Sequence, residues 1–451
     1  METQKLSTLE KVGFGAGDMA LNVVISSMLL FITFFYTDIY GLDPVDMGIL
    51  FFVVKIVGAF SDLAMGQITD RVTTRFGRYR PWLAWLAVPF GVTVFLVFST
   101  PEWSYTAKLI WAYCAYILMT LITSGVGIPY ISLPSAITSD PKERLSANGY
   151  RLFFAKIAGF LVVVGVPLLA ERWTVNGNVA GGYQSAMAVM AAIGVTMFLF
   201  CYLTTKERVH HVVVRQSLWS QTKLLFQNDQ WLLLAAACIV GTIGYVVRNA
   251  VALHYGQYYM GFDSITLKAF MATGVSAAIC AMVVSTWITK FYCKVKLFAF
   301  SQIAVAIISV LLYVGVKPGD TALAFFLYFM LSLVVDLHAP VFWSAIAETI
   351  DYGHIKSGKR VSGFAYGGIS VGQKIGMGIG GLMVGMLLAY FGYHPNQPQT
   401  AFAMTGIAMM LSVIPGFFHL LMGLLMLKYR INDSYYVALK ADMHKLGYAA
   451  G

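Results

Sequence analysis

Long apolar runs separated by short polar segments dominate the pattern of this chain. Twelve runs are evident, near 13–37, 44–67, 81–99, 108–133, 151–170, 184–204, 230–253, 266–289, 297–315, 321–346, 363–391 and 400–427. A helix needs about 20 apolar residues to cross the hydrocarbon of a bilayer, which is the length of these runs. Barrel strands would show as alternating segments of about 10 residues, and these runs are too long and continuous for that. In lipid, an α-helix is then the way to satisfy every backbone N–H and C=O. The pattern predicts an all-α integral membrane protein with twelve transmembrane helices.

Composition removes the competing classes. Of 451 residues, 58% are hydrophobic and 12% are charged, about half the charge that coats an average soluble domain. Abundant apolar and aromatic residues exclude disorder. The net charge of +10 is spread along the chain, a poor fit to a nucleic-acid-binding face. Cys114, Cys201, Cys238, Cys280 and Cys293 form no metal-ligand or C-x-x-C spacing and read as small apolar fillers. The segment Met1–Lys11 is polar, with no cleavable-signal pattern, so the first run reads as a working membrane helix.

Charge placement orients the chain. Lys5, Lys11, Arg71, Arg75, Arg78, Arg80, Lys206, Arg208, Lys290, Lys294, Lys356 and Lys428 all fall in one set of alternate polar segments, whereas the opposite set carries Lys108, Arg172 and Lys317. By the positive-inside rule both termini and the 205–229 segment face the cytoplasm, with His210 inside and Asn176 outside. His210 and His211 read as solvated loop residues. Six basic residues remain at membrane depth or near its edges: Lys55, Arg151, Lys156, Arg248, Lys268 and Lys374.

The 205–229 segment divides the runs six and six. The expected organisation is an N-terminal six-helix bundle (1–204), a cytoplasmic middle loop (205–229), a C-terminal six-helix bundle (230–427) and a cytoplasmic tail (428–451). A weak repeat supports this: Pro129 in the fourth run and Pro340 in the tenth each precede an aspartate, Asp140 and Asp351, by the same spacing. Parallel six-helix halves are the plan of a major-facilitator transporter. The loop after the second run, Gly66-Gln67-Ile68-Thr69-Asp70-Arg71 followed by Gly77-Arg78, resembles the signature loop of that superfamily. Asp70 with Arg71 and Arg78 fits a charge network that stabilises one gating state.

Five motifs in order narrow the family: Gly13-Phe14-Gly15-Ala16-Gly17-Asp18, Phe35-Tyr36-Thr37-Asp38, Phe76-Gly77-Arg78-Tyr79-Arg80-Pro81-Trp82, Ile128-Pro129-Tyr130 and Glu348-Thr349-Ile350-Asp351-Tyr352-Gly353. Over nearly the whole chain, about Lys5 to Tyr429, the sequence resembles the glycoside–pentoside–hexuronide cation symporters, the family of the melibiose permease. The resemblance implies alternating access and transport of a sugar or glycoside coupled to Na⁺, Li⁺ or H⁺, in a bacterial cytoplasmic (inner) membrane.

Candidate substrate ligands follow from the residues and from that resemblance. Asp18, Asn22 and Ser26 are spaced i, i+4, i+8, so they share one helical face that suits sugar hydroxyls. The resemblance places the family's sugar-holding helix-1 aspartate at Asn22, and sugar-contacting or ion-pairing cations at Arg151 and Lys374. It also shows Ile131 where the family has a sugar-stacking aromatic, leaving Tyr130 or Trp343 to supply the stacking face. Arg248, at mid-helix, is either an internal ion-pair partner or a ligand, with Asp336 and His338 as candidate partners.

For ion coupling, the resemblance assigns carboxylates to positions held here by Gly58 and Gly127, so Asp62 survives with Lys55 two turns away. A cation site with one acid and a nearby lysine is poor for Na⁺, whereas a proton needs one acceptor. The expectation is therefore an H⁺-coupled secondary transporter. The excess of candidate cations favours an anionic sugar derivative, a hexuronide or sulfosugar, with Arg248 and Lys374 as anion ligands. The alternatives are an uncoupled sugar uniporter or exporter, or a Na⁺-coupled neutral glycoside symporter. The chain is expected to work as a monomer without a cofactor. No H-E-x-x-H, G-x-S-x-G or P-loop motif marks an enzyme.

Overall fold

The structure, a computed structural model, describes residues 5–138, 141–208, 218–359 and 361–445. Asp140, His210, His211, Arg215 and Arg360 lie outside the described residues, as does the side chain of Asp70. The chain separates into two compact units, Met1–Val213 with His394–Gln397, and Val214–Tyr393 with Pro398–Gly451. Among the described residues, twelve helical spans are long and apolar enough to cross a membrane, six in each unit. Among the described residues there is no strand, only an isolated bridge between Thr74 and Gly77.

Unit 1 holds α1 (Thr8–Phe34), α2 (Pro44–Arg71), α3 (Arg80–Val97), α4 (Tyr105–Ile137), α5 (Pro141–Arg172) and α6 (Val179–Thr204). Local chemistry sets the ends. Ser7 Oγ accepts from the Glu10 backbone N–H, and the Glu10 carboxylate accepts from the Ser7 N–H, a reciprocal cap that starts α1. Asp43 caps α2, with Pro44 at its first position.

Unit 2 holds α7 (Leu218–Phe226), α8 (Asp229–His254), α9 (Ser264–Ile288), α10 (Lys294–Gly315), α11 (Thr321–Asp336), α12 (Ala339–Ser357), α13 (Ser362–Tyr390), α14 (Ala401–Leu411), α15 (Val413–Met426) and α16 (Asp433–Lys445). The tenth and twelfth apolar runs are therefore not continuous helices. Pro340 has no N–H to return to the Asp336 carbonyl, and Pro415 none to that of Leu411, so each ladder opens there. The α14–α15 break centres on Ser412 (φ −115°, ψ −90°).

The internal repeat is structural. In unit 1, α1 packs chiefly on α5 and α6, α3 on α6, and α2 on α4; in unit 2, α8 packs on α13 and α15, α10 on α15, and α9 on α11. The ends of α1 and α8 also match. Each widens into a π-helical turn, Phe35–Ile39 and Tyr255–Tyr259, closed by Tyr40 N–H donating to Phe35 O (2.8 Å) and Met260 N–H to Tyr255 O (2.9 Å). A left-handed glycine follows, Gly41 (φ +77°) or Gly261 (φ +67°), and then an aspartate that caps the next helix, Asp43 or Asp263.

In unit 2 the central contact, α8 against α13, depends on small residues. A Cβ placed on Gly376 would lie 2.8 Å from the Ile239 carbonyl oxygen and 2.9 Å from Thr242 Cβ. One placed on Gly367, in the same helix, meets nothing within 4 Å. Backbones this close gain dispersion that bulkier residues would forbid. We predict that Gly376→Val destabilises the protein by about 1–3 kcal/mol through overpacking, while Gly367→Ala leaves unfolding in mild detergent nearly unchanged. Equal melting temperatures for the two variants would contradict the packing account.

Candidate functional site

In unit 1, three of the expected ligands come together on α1 and α5. Arg151 Nε donates to Asp18 Oδ1 at 2.9 Å, and Asn22 Nδ2 donates to Asp18 Oδ2 at 3.1 Å and to the Asp18 carbonyl at 2.9 Å. The Asp18 side chain is 7% exposed and that of Arg151 31%. A buried carboxylate thus holds one edge of a guanidinium whose remainder is accessible. Such an arrangement can receive hydroxyls at the carboxylate and hydroxyls or an acid at the guanidinium.

Tyr130 takes another part. It is fully buried, its ring stacked on Phe14 with centroids 5.0 Å apart, and its hydroxyl donates to the Phe14 carbonyl at 2.7 Å. A Cβ on Gly17 would sit 2.4 Å from the ring. In this structure Tyr130 is a seat for α1, not an open stacking face. Trp343, on α12, is 48% exposed, with its ring edge-on to Phe342.

Lys55 and Asp62 share α2 and lie within electrostatic reach, and the Lys55 ammonium stands 5.9 Å from the Tyr116 ring centre. The acid that the sequence singled out for coupling therefore has a lysine within electrostatic reach on its own helix. At the end of α2, Arg71 is exposed. The loop that follows is secured by a residue the sequence reading left unassigned. The Glu207 carboxylate accepts from the backbone N–H groups of Arg78, Tyr79 and Arg80, all at 2.8 Å, at the start of α3. A helix N-terminus is a natural anion seat. Arg80 Nη2 in turn donates to the Tyr202 carbonyl at 2.7 Å. One acid directly after the sixth apolar run was the sequence signal for this clamp.

In unit 2 the candidates gather where α11–α12 and α14–α15 are broken. Arg248 Nε donates to the Leu411 carbonyl at 3.3 Å, replacing the N–H that Pro415 lacks. Ser285 Oγ donates to the Leu337 carbonyl at 2.6 Å. His338 Nδ1 lies 2.6 Å from the Val335 carbonyl, to which Gln302 Nε2 also donates at 3.2 Å. His338 therefore serves the break itself with one nitrogen. Gln302 Oε1 meets His419 Nδ1 at 2.8 Å. Asp336, half-buried, acts electrostatically on Arg248, Tyr245 and His338.

Arg248 is 4% exposed, and among the described residues neither Nη1 nor Nη2 has a hydrogen-bond partner. The sequence left Arg248 as an internal ion-pair partner or a substrate ligand; the structure buries it within unit 2. Gln302 and His419 were missed, although each is a polar residue within an apolar run. Lys374 lies on α13, half-buried, two residues before Gly376.

Residues 13–433 match the family described as MFS/sugar transport protein. The chain is 31% identical over 432 residues to the inner membrane symporter YicJ of Escherichia coli strain K12, covering 95% of this chain and 93% of that one. It is 30% identical over 407 residues to an isoprimeverose transporter of Lactiplantibacillus pentosus, covering 89% and 84%. It is also 28% identical over 437 residues to the glucuronide carrier protein homolog of Escherichia coli strain K12, covering 95% and 94%.

The Asp18–Arg151 pair yields a stability test. Removing one member of a buried pair strands the other, whereas removing both does not. Arg151→Gln should therefore destabilise more than the double variant Asp18→Asn/Arg151→Gln, with a coupling of about 0.5–3 kcal/mol by equilibrium unfolding. Simple additivity would show that the pair does not operate.

Proposed function

The chain belongs to the MFS/sugar transport family, and from that premise we propose that it carries an acid-bearing sugar across the inner membrane together with a proton. The coarser part is secure: this is a multi-pass inner-membrane transporter of the glycoside–pentoside–hexuronide type, not an enzyme.

One observation carries the acid. Arg248 keeps two donor nitrogens buried with no hydrogen-bond partner among the described residues. An unmade buried bond costs about 1–3 kcal/mol, and more for a charged group. A carboxylate or sulfonate offers a guanidinium fork two acceptors in one plane. Opening of the α14–α15 break, against which Arg248 lies, gives the ligand access. In unit 1, Asp18, Asn22 and Arg151 supply sugar-hydroxyl contacts. A relative named as a glucuronide carrier homologue is consistent with an acidic substrate.

The proton assignment rests on α2. Na⁺ needs several hard oxygen ligands. Gly58 and Gly127 offer no side-chain oxygen, and Lys55 already places a positive charge opposite Asp62. Asp62 is the acceptor in this reading and Lys55 its partner, with Asp70, Arg71 and Arg78 in the gating loop.

A second reading, uptake of a neutral glycoside, draws on the one-to-one pairing of Asp18 with Arg151 and on the isoprimeverose transporter. Arg248→Gln separates the two. Charge-assisted bonds are worth about 1.5–3 kcal/mol, so the variant should weaken binding of an acidic sugar about tenfold to a hundredfold. Its neutral analogue should change less than about threefold, as read by ligand-induced thermal shift. Equal losses for both sugars would favour the neutral reading.

A further inference from the structure

The hydrogen-bond network beside Arg248 fixes the protonation pattern of a buried histidine. Gln302 Nε2 faces the Val335 carbonyl at 3.2 Å and Ser301 Oγ at 3.2 Å. Both oxygens accept, and His338 Nδ1 also lies 3.2 Å from Nε2, so two acceptors on that side orient the amide nitrogen there and Oε1 toward His419. An amide oxygen also accepts only, so His419 Nδ1 carries the hydrogen of that 2.8 Å bond. In the neutral ring, Nε2 is then a lone pair. It is buried, in a residue 1% exposed, and has no partner among the described residues.

This lone pair is an unused proton acceptor, buried within electrostatic reach of a fixed positive charge. His419 packs against α8 beside Gly244, one turn before Arg248, and the electrostatic influence of Arg248 and His338 reaches it. The ionisable groups around this cluster are Arg248 and Tyr245 on α8, Tyr328 and Asp336 on α11, and His338 at the head of α12. The neighbours that α10 contributes, Gln302 and Ser301, are neutral. An imidazolium at position 419 and a free guanidinium at position 248 repel each other. An anion seated on the guanidinium cancels that repulsion.

We propose that His419 is a substrate-linked protonation site: seating of the substrate's acid group on Arg248 draws a proton from solvent onto His419 Nε2. The inference rests on the acid-bearing reading above and deepens it. Anion and proton bind together because each lowers the electrostatic cost of the other, and the linkage is reciprocal. It is separate from Asp62 and Lys55, which lie in unit 1.

The test is proton uptake on binding, followed with a pH indicator in weakly buffered detergent solution. The probes are methyl β-glucuronide, methyl α-galacturonide and glucose 6-sulfonate, with methyl β-glucoside as the neutral control. The acidic probe that raises the melting temperature most is used. Wild-type protein and Asp62→Asn should take up a proton when that probe binds, and neither should do so with the glucoside. His419→Gln keeps an amide N–H for Gln302 Oε1 and loses the titrating nitrogen; made in the Asp62→Asn background, it should bind the probe with uptake abolished. Uptake in Asp62→Asn/His419→Gln equal to that in Asp62→Asn, or equal uptake with the glucoside, overturns the inference while leaving acid binding intact. Failure of every acidic probe to bind overturns the acid-bearing reading and this inference with it. If the double variant does not fold, calorimetry of Asp62→Asn in buffers of different ionisation enthalpy reads the same proton, and a value of zero overturns the inference.

Discussion

A carbonyl released inside a membrane helix has no water to bond, so a donor must be built for it. Unit 2 is arranged around that constraint. Pro415 withholds an N–H from Leu411, and Arg248 provides one in its place. Opposite Pro340, Ser285, Gln302 and His338 serve the carbonyls of Leu337 and Val335. Broken backbone at membrane depth is tolerated where side chains satisfy it in this way. These breaks are served by polar side chains from α8, α9 and α10 and by His338 at the head of α12, with His419 of α15 bonded to Gln302. A network whose members hold backbone together can move only as a set, which suits a helix pair that must rearrange during a transport cycle.

Unit 1 meets the cost of buried charge differently. Its acids and bases are paired side chain to side chain, Asp18 with Arg151 and, at the end where α1 begins, Glu10 with Arg208 at 2.6 Å and Lys11 with Glu143 at 2.9 Å. Of this pair only Arg151 stays partly exposed, whereas the Glu207 clamp commits its carboxylate to three backbone donors. The two units share one packing plan and use it for unlike electrostatics. One pairs an acid with a base; the other buries a guanidinium of which two nitrogens have no hydrogen-bond partner among the described residues.

Much of the fold was legible in the sequence because lipid imposes a long apolar period that little else imitates. Twelve spans followed from run length and the shared face of Asp18 and Asn22 from helical spacing, whereas Arg151 was reached through the family resemblance. The breaks in the tenth and twelfth spans did not, since apolar length continues across Pro340 and Pro415 while hydrogen bonding does not. Tyr130 looked available because periodicity carries no information on which face a neighbour covers. Gln302 and His419 escaped notice because each is a single polar residue in an apolar run, and their meaning lies in a contact across 117 positions of sequence. Glu207 was visible as an acid in a basic loop, but its three backbone partners belong to a turn folded by tertiary contact.

The central claim is that one chain moves an acidic sugar with a proton, using charges its own helices have already compensated or left open. Uptake of a labelled acidic sugar into proteoliposomes under separately imposed gradients tests it most directly. An inward proton gradient should drive accumulation above equilibrium, and an inward Na⁺ gradient at fixed pH and membrane potential should not. Accumulation driven by Na⁺ under those conditions would contradict the account.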